Sequence, residues 1–127
     1  MTSQITGIDH CLIVVENLDT AFSQIEQLGF TVQPRGVHSE NMGTHNHCVM
    51  LNHGYFEILG IRKPTQHNER WRNVLSRSEG LGAIALEITD ANACYEQLRE
   101  NGVDATESVN FSRPVDLPEG SFEARFS

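Results

Sequence analysis

Along the first half of the chain the spacing of apolar positions changes repeatedly, and each change marks an element. Residues 7–15, GIDHCLIVV, are apolar and β-branched on both parities, the pattern of a strand covered on both faces. Residues 18–28, LDTAFSQIEQL, switch to helical spacing. Leu18, Phe22, Ile25 and Leu28 share one stripe, with Asn17 or Asp19 as N-cap and Gly29 as the stop. A strand is expected at about 30–34, followed by the polar loop GVHSENMGTHN. Two further strands, at 46–51 and 55–59, are joined by Asn52-His53-Gly54, a three-residue hairpin turn with glycine at its left-handed position. The order is β-α-β-β-β.

After a polar stretch at 61–80, within which NERWRNVLSRS predicts a linker helix, the opening pattern returns. GAIALEIT at 82–89 reads as a strand, and DANACYEQLREN at 90–101 as a helix capped by Asp90 and ended by Gly102. Aligning Gly29 with Gly102 gives an offset of 73 residues (102 − 29). The same offset pairs Val15 with Ile88, Phe22 with Tyr95, Ile25 with Leu98 and Phe30 with Val103, so an internal repeat is the economical explanation. The fold class expected is α+β, built from tandem βαβββ units. One domain spans 1–127, with unit one at about 5–60, a linker at 61–80 and a partial unit two at about 81–127. The offset places the third and fourth strands of unit two at 119–124 and 128–132. SFEARFS supplies the third, and Phe122, Ala124 and Phe126 alternate almost to Ser127. The expectation is a piece of a longer protein, or an open sheet edge covered by a partner subunit, which makes a homodimer the expected assembly.

Composition narrows the partners. The 127 residues are 39% hydrophobic and 20% charged, suited to an ordinary globular domain with its own core. The net charge of −8 and the lack of any basic run argue against nucleic acid, whose phosphates are bound by Lys and Arg. No signal segment and no apolar run of membrane-spanning length is present, so no membrane partner is expected. Cys11, Cys48 and Cys94 are odd in number and lack CxxC spacing; they read as small buried hydrophobes in a reducing cytoplasm. A cytoplasmic protein handling a small-molecule ligand is the resulting expectation. No nucleophile elbow, Gly-rich phosphate loop or HExxH helix is present.

Among single residues, Glu57 interrupts the apolar run Tyr55, Phe56, Ile58, Leu59. A carboxylate there needs a partner or a metal, unless its face of the sheet is wet. His10 shares the parity of Ile8, Leu12 and Val14; such a histidine is a satisfied core residue or a metal ligand. His38, His45 and His47 crowd one loop and the strand after it, and the equal parity of His45 and His47 allows both to face inward. A solvated loop whose Thr44 and Asn46 only make turns is the other reading. Glu87 shares a strand face with Ala83 and Ala85, and either lines the space they leave or sits at an exposed strand end. Trp71 is expected to pack, and His47 and His53 to lie at the surface.

Two βαβββ units in tandem, with DHCLIVVENLDTA at the first strand–helix junction and YFEILG in the fourth strand, resemble the vicinal oxygen chelate superfamily of glyoxalases, extradiol dioxygenases and bleomycin-binding proteins. GVHSENMGTHN followed by YFEIL is similar to the glyoxalase-like domains that carry a GxHxxxxGTHN loop. The resemblance implies a cup with a metal at its floor, held from the first and fourth strands. Carried over, it assigns His10 and Glu57 as metal ligands, Glu57 also as the catalytic group, and His38, His45 and Asn46 to the substrate. The ligand equivalent to His10 falls on Ala83, and that equivalent to Glu57 beyond Ser127. The implied cofactor is a divalent ion (zinc, nickel, manganese or iron). The implied function is a metal-dependent lyase or isomerase acting on a small oxygenated compound. The alternative is a metal-free sequestering protein of the bleomycin-resistance type, which Ala83 favours.

Overall fold

The structure, a computed structural model, describes residues 3–117 and 119–126; for residues 111–117 and 121–126 it describes the backbone alone. The elements run β1 (Ile5–Val15), α1 (Leu18–Gln27), β2 (Gly36–Val37), β3 (Thr44–Met50), β4 (Tyr55–Ile61), α2 (Glu69–Leu75), β5 (Gly80–Ile88), α3 (Ala91–Glu100), β6 (Phe111–Leu117) and β7 (Gly120–Phe126). Five strands make one mixed sheet in the order β2-β3-β4-β1-β5, and β6 pairs with β7 in a separate hairpin. β1 lies parallel to β4, while β3 is antiparallel to both β4 and β2. Residues 8–86 form one compact unit, and residues 1–7 with 87–127 form another.

In the unit 8–86 the two-sided hydrophobicity of β1 is used on both sides. Val15 packs with Leu18 and Ala21 of α1 and Ile58 of β4, joined by Ile13, Ile25 and Phe56. Leu12 and Val14 pack on the opposite face with Leu59, against Trp71, Val74 and Leu75 of α2 and against Ala83. The segment expected as a linker therefore contributes a helix to this core. Even residues of β1 and odd residues of β4 share the α2 face, and the remainder face α1. α1 begins where expected, with the Asn17 side chain accepting from Thr20 N at 2.9 Å, and stops before Gly29, whose φ is +96°.

One expected element is absent. Residues 30–35 form no strand; pairing is confined to Gly36–Val37 and a single bond from Gln33 N to Cys48 O, 2.8 Å. Pro34 lacks the N–H that a continued ladder needs. In the other unit, Asp90 caps α3 by accepting from Ala93 N at 2.7 Å, and Gly102 turns the chain at φ +79°. The strand expected at 119–124 is β7, but the alternation of Phe122, Ala124 and Phe126 lies outside the described side chains. β6 has no counterpart in the sequence reading, because Pro114 and Asp116 weaken its strand signal. Among the described residues no cysteine forms a disulfide; Cys94 is buried, whereas Cys11 and Cys48 are only partly so.

Candidate functional site

Register brings the predicted metal pair together. His10 of β1 sits beside Tyr55 of β4, and Leu12 beside Glu57, so His10 and Glu57 are diagonal neighbours on one face. His10 Nε2 lies 3.4 Å from Glu57 Oε2, with the two side chains 18% and 14% exposed. Each is held at its other end. His10 Nδ1 is 2.7 Å from Asp9 Oδ2, and its ring stacks on Tyr55 with centroids 4.4 Å apart and planes 10° from parallel. Glu57 Oε1 accepts from Asn46 Nδ2 at 2.9 Å. Asn46 is buried, and its amide must present the NH₂ to a carboxylate, which orients both groups. Cys48, the cross-strand partner of Glu57, completes this part of the face, with its sulfur 4.0 Å from Asn46 Nδ2.

The loop motif divides into parts that build and a part that reaches the site. Gly43 has φ +62°, and a Cβ there would meet Lys63 O at 2.6 Å and Asn68 Nδ2 at 2.9 Å. Thr44 is buried, and its hydroxyl lies 2.7 Å from His38 Nδ1, so His38 is engaged within its own loop. His45 and His47 do share a parity, but it is the other one. They are paired with Gly60 and Ile58, which puts them on the α1 face, away from His10 and Glu57. The His45 ring lies over Gly60, where a Cβ would come within 2.8 Å of Nε2. Burial, then the charges of Arg35 and Arg62, lower its pKa from the ordinary 6.5. His47, expected at the surface, is buried under α1, 4.6 Å from the Phe22 ring and with Nδ1 2.7 Å from Gln33 O. Of the expected residues the structure thus joins His10, Glu57 and Asn46 by contact, while His38 bonds to Thr44 and His45 lies on the opposite face.

His53 is exposed as expected. Glu87 is exposed, and its carbonyl accepts from Thr6 Oγ1 at 3.3 Å within the second compact unit. Ala83 presents only a methyl group to the Leu12 cluster. Two contributors were missed in the sequence. Asp9 has the parity of the opposite face, so alternation spoke against it. Tyr55 was read as part of an apolar run, and its place directly across from His10 is set by strand register, which the sequence alone does not give. Among the described residues, no group of three or more His, Cys, Asp or Glu side chains could hold a metal ion together. The pair alone fits one: two donors each about 2.1 Å from a shared ion lie roughly 3–3.5 Å apart, as His10 Nε2 and Glu57 Oε2 do.

Among solved structures, the methylmalonyl-CoA epimerase of Mycobacterium tuberculosis matches with a TM-score of 0.65 at 20% identity, over 91% of this chain and 71% of that one. A Streptomyces coelicolor methylmalonyl-CoA epimerase variant in complex with 2-nitronate-propionyl-CoA matches with a TM-score of 0.64 at 23% identity, over 94% and 85%. A methylmalonyl-CoA epimerase in complex with methylmalonyl-CoA and NH₄⁺ gives 0.61 at 25%, over 77% and 71%. At such identities the likeness is one of fold, and the shared fold is that of the vicinal oxygen chelate superfamily. A search of curated proteins finds no match. A family model described as a glyoxalase-like domain matches residues 8–127, nearly the whole chain, and to that family the chain belongs.

Proposed function

We propose that this chain carries part or all of the active site of a divalent-metal-dependent isomerase acting on a small oxygenated compound. The observation that carries the reading is the 3.4 Å separation of His10 Nε2 and Glu57 Oε2 on one sheet face, each pinned by a further polar neighbour. A bound divalent ion would polarise a substrate carbonyl and so stabilise the enolate left when a proton leaves the adjacent carbon. His10 and Glu57 would hold it. Glu57 is also the group assigned to accept the proton and return it, and Asn46 holds the carboxylate by donating to Oε1. Asn46 thus serves the substrate reaction by orienting Glu57. His38 and His45 are retained as substrate contacts through the family resemblance. Isomerase chemistry is preferred to lyase chemistry because the solved structures of like fold include epimerases. A nitronate, as in one of them, has the planar, anionic form of an enolate.

The test is metal uptake with Glu57→Gln. Wild-type protein refolded with zinc, nickel, manganese or ferrous iron is expected to retain one ion per site and to exchange the α-proton of methylmalonyl-CoA, or a related acyl thioester, with solvent deuterium. Glu57→Gln is expected to lose uptake while keeping its circular dichroism. If the wild type holds no stoichiometric metal and Glu57→Gln leaves every ligand affinity unchanged, the reading is wrong. Ala83, a methyl group where the repeat calls for a histidine, favours a second reading: a metal-free cup that sequesters a small molecule. A ligand-dependent rise in Tm without metal would select it. The expected homodimer is supported by exposed Leu81, Ile84 and Leu86 on β5, the last strand in the sheet order; light scattering checks it. Among the described residues no helix is long and apolar enough to cross a membrane. The cytoplasm remains the compartment proposed.

A further inference from the structure

From the contact between Asp9 and His10 we infer that Asp9 is a positioning residue, which selects the tautomer of His10 that leaves Nε2 bare and aimed at Glu57. The inference deepens the metal-site reading and rests on it for its consequence, though not for its geometry. Asp9 Oδ2 lies 2.7 Å from His10 Nδ1. A carboxylate only accepts, so the Asp9 contact favours hydrogen on Nδ1, and a neutral ring so held has its lone pair on Nε2. That lone pair meets Glu57 Oε2, an acceptor whose partner oxygen already receives Asn46 Nδ2. In that tautomer Nε2 and Glu57 Oε2 are two acceptors 3.4 Å apart, an arrangement that a cation or a shared proton satisfies. The flanking contacts therefore turn two ordinary side chains into a pair of converging donors for a positive charge.

The local fold holds the backbone of Asp9 and the ring of His10 against the β3–β4 turn. Adjacent residues of a strand point to opposite faces, so a regular strand would keep them apart. Here the 51–54 turn presses against β1. A Cβ at Gly54, where φ is +88°, would lie 2.5 Å from Asp9 O, and the next residue, Tyr55, stacks on His10. The Asp9 side chain is half exposed, so its ion pair with His10 adds little to stability and its effect is one of orientation. A hydrogen-bond partner of this kind on a ligating histidine changes metal affinity by about 10–100-fold.

The experiment measures the tautomer directly. Full-length protein with ¹⁵N-labelled histidine is studied by long-range ¹H–¹⁵N correlation at about pH 8.5, roughly two units above the reference imidazole pKa. Resonances are assigned with His10→Gln, and Co²⁺ affinity is titrated in parallel. Wild type is expected to show hydrogen on Nδ1 and a bare Nε2. Asp9→Asn, whose NH₂ can donate to Nδ1, and Asp9→Ala should move hydrogen to Nε2 and weaken Co²⁺ about 10-fold or more, with Tm little changed. Hydrogen on Nε2 in the wild type, or a tautomer ratio unmoved in both variants, overturns the role of Asp9. If the tautomer follows Asp9 while wild-type protein takes up no Co²⁺, the positioning role stands and the metal reading falls.

Discussion

Gly54 shows how much one residue decides. It closes the β3–β4 turn at φ +88°, a conformation that L side chains rarely adopt, and its α-carbon faces the Asp9 carbonyl with no room for a methyl group. Gly54→Ala is expected to cost about 1–3 kcal/mol from backbone strain alone, with the clash added. The same change should loosen the stacking of Tyr55 on His10, so Co²⁺ affinity should fall along with Tm. Gly29, which also has a positive φ but has open space at its Cβ, is the control: Gly29→Ala should lower Tm by less and leave metal affinity unchanged. Equal metal affinity in Gly54→Ala and wild type would disconnect the turn from the site.

At the scale of elements, α2 is fastened to the loop motif by one side chain. Asn68 is 1% exposed; its Nδ2 donates to Met42 O and Lys63 O, both at 2.8 Å, and its Oδ1 accepts from Thr65 N and Arg72 Nε. The loop end that precedes β3, and with it Asn46, is held from this point. Asn68→Ala is expected to destabilise by about 3 kcal/mol, because buried carbonyls lose their donor. Asn68→Asp, equal in size, should be worse, since it turns an acceptor toward those same carbonyls. Chemical denaturation checks the order; an Asp variant as stable as wild type would refute the network. GVHSENMGTHN is legible in the sequence as a motif, yet its glycine and threonine serve the loop, while Asn46 touches Glu57 of the His10–Glu57 pair. Nothing in a linear pattern separates those duties, because they depend on what β4 and α2 bring alongside.

For the whole molecule, one contribution to acid stability comes from a histidine on the face opposite His10 and Glu57. His45 is held below the ordinary 6.5 chiefly by burial, then by Arg35 and Arg62, against the smaller opposing pull of Asp19. Its folded form therefore binds a proton less readily than its unfolded form. Stability from this residue is complete above about pH 6.5 and is lost as pH falls through that value toward the lower folded pKa. Tm should decline below pH 6.5, and His45→Gln should flatten that decline without moving Tm at pH 8. An unchanged pH profile in the variant would remove His45 as its source.

The sequence by itself determined the elements that depend on local chemistry. Helix stripes, the Asn17 and Asp90 caps, the stops at Gly29 and Gly102 and the Gly54 turn all follow from short-range preferences, and the 73-residue offset follows from their recurrence. It also marked His10 and Glu57, because a histidine and a carboxylate within apolar strands demand a partner. Only the tertiary structure decided which partner. Parity told that His45 and His47 point the same way, but the face they share was settled by their pairing with Gly60 and Ile58. Asp9 was invisible for the same reason: alternation assigns it to the opposite face, yet its carboxylate lies 2.7 Å from His10 Nδ1. Side-chain periodicity fixes relative orientation along one strand, whereas a site is made where strands distant in sequence lie side by side.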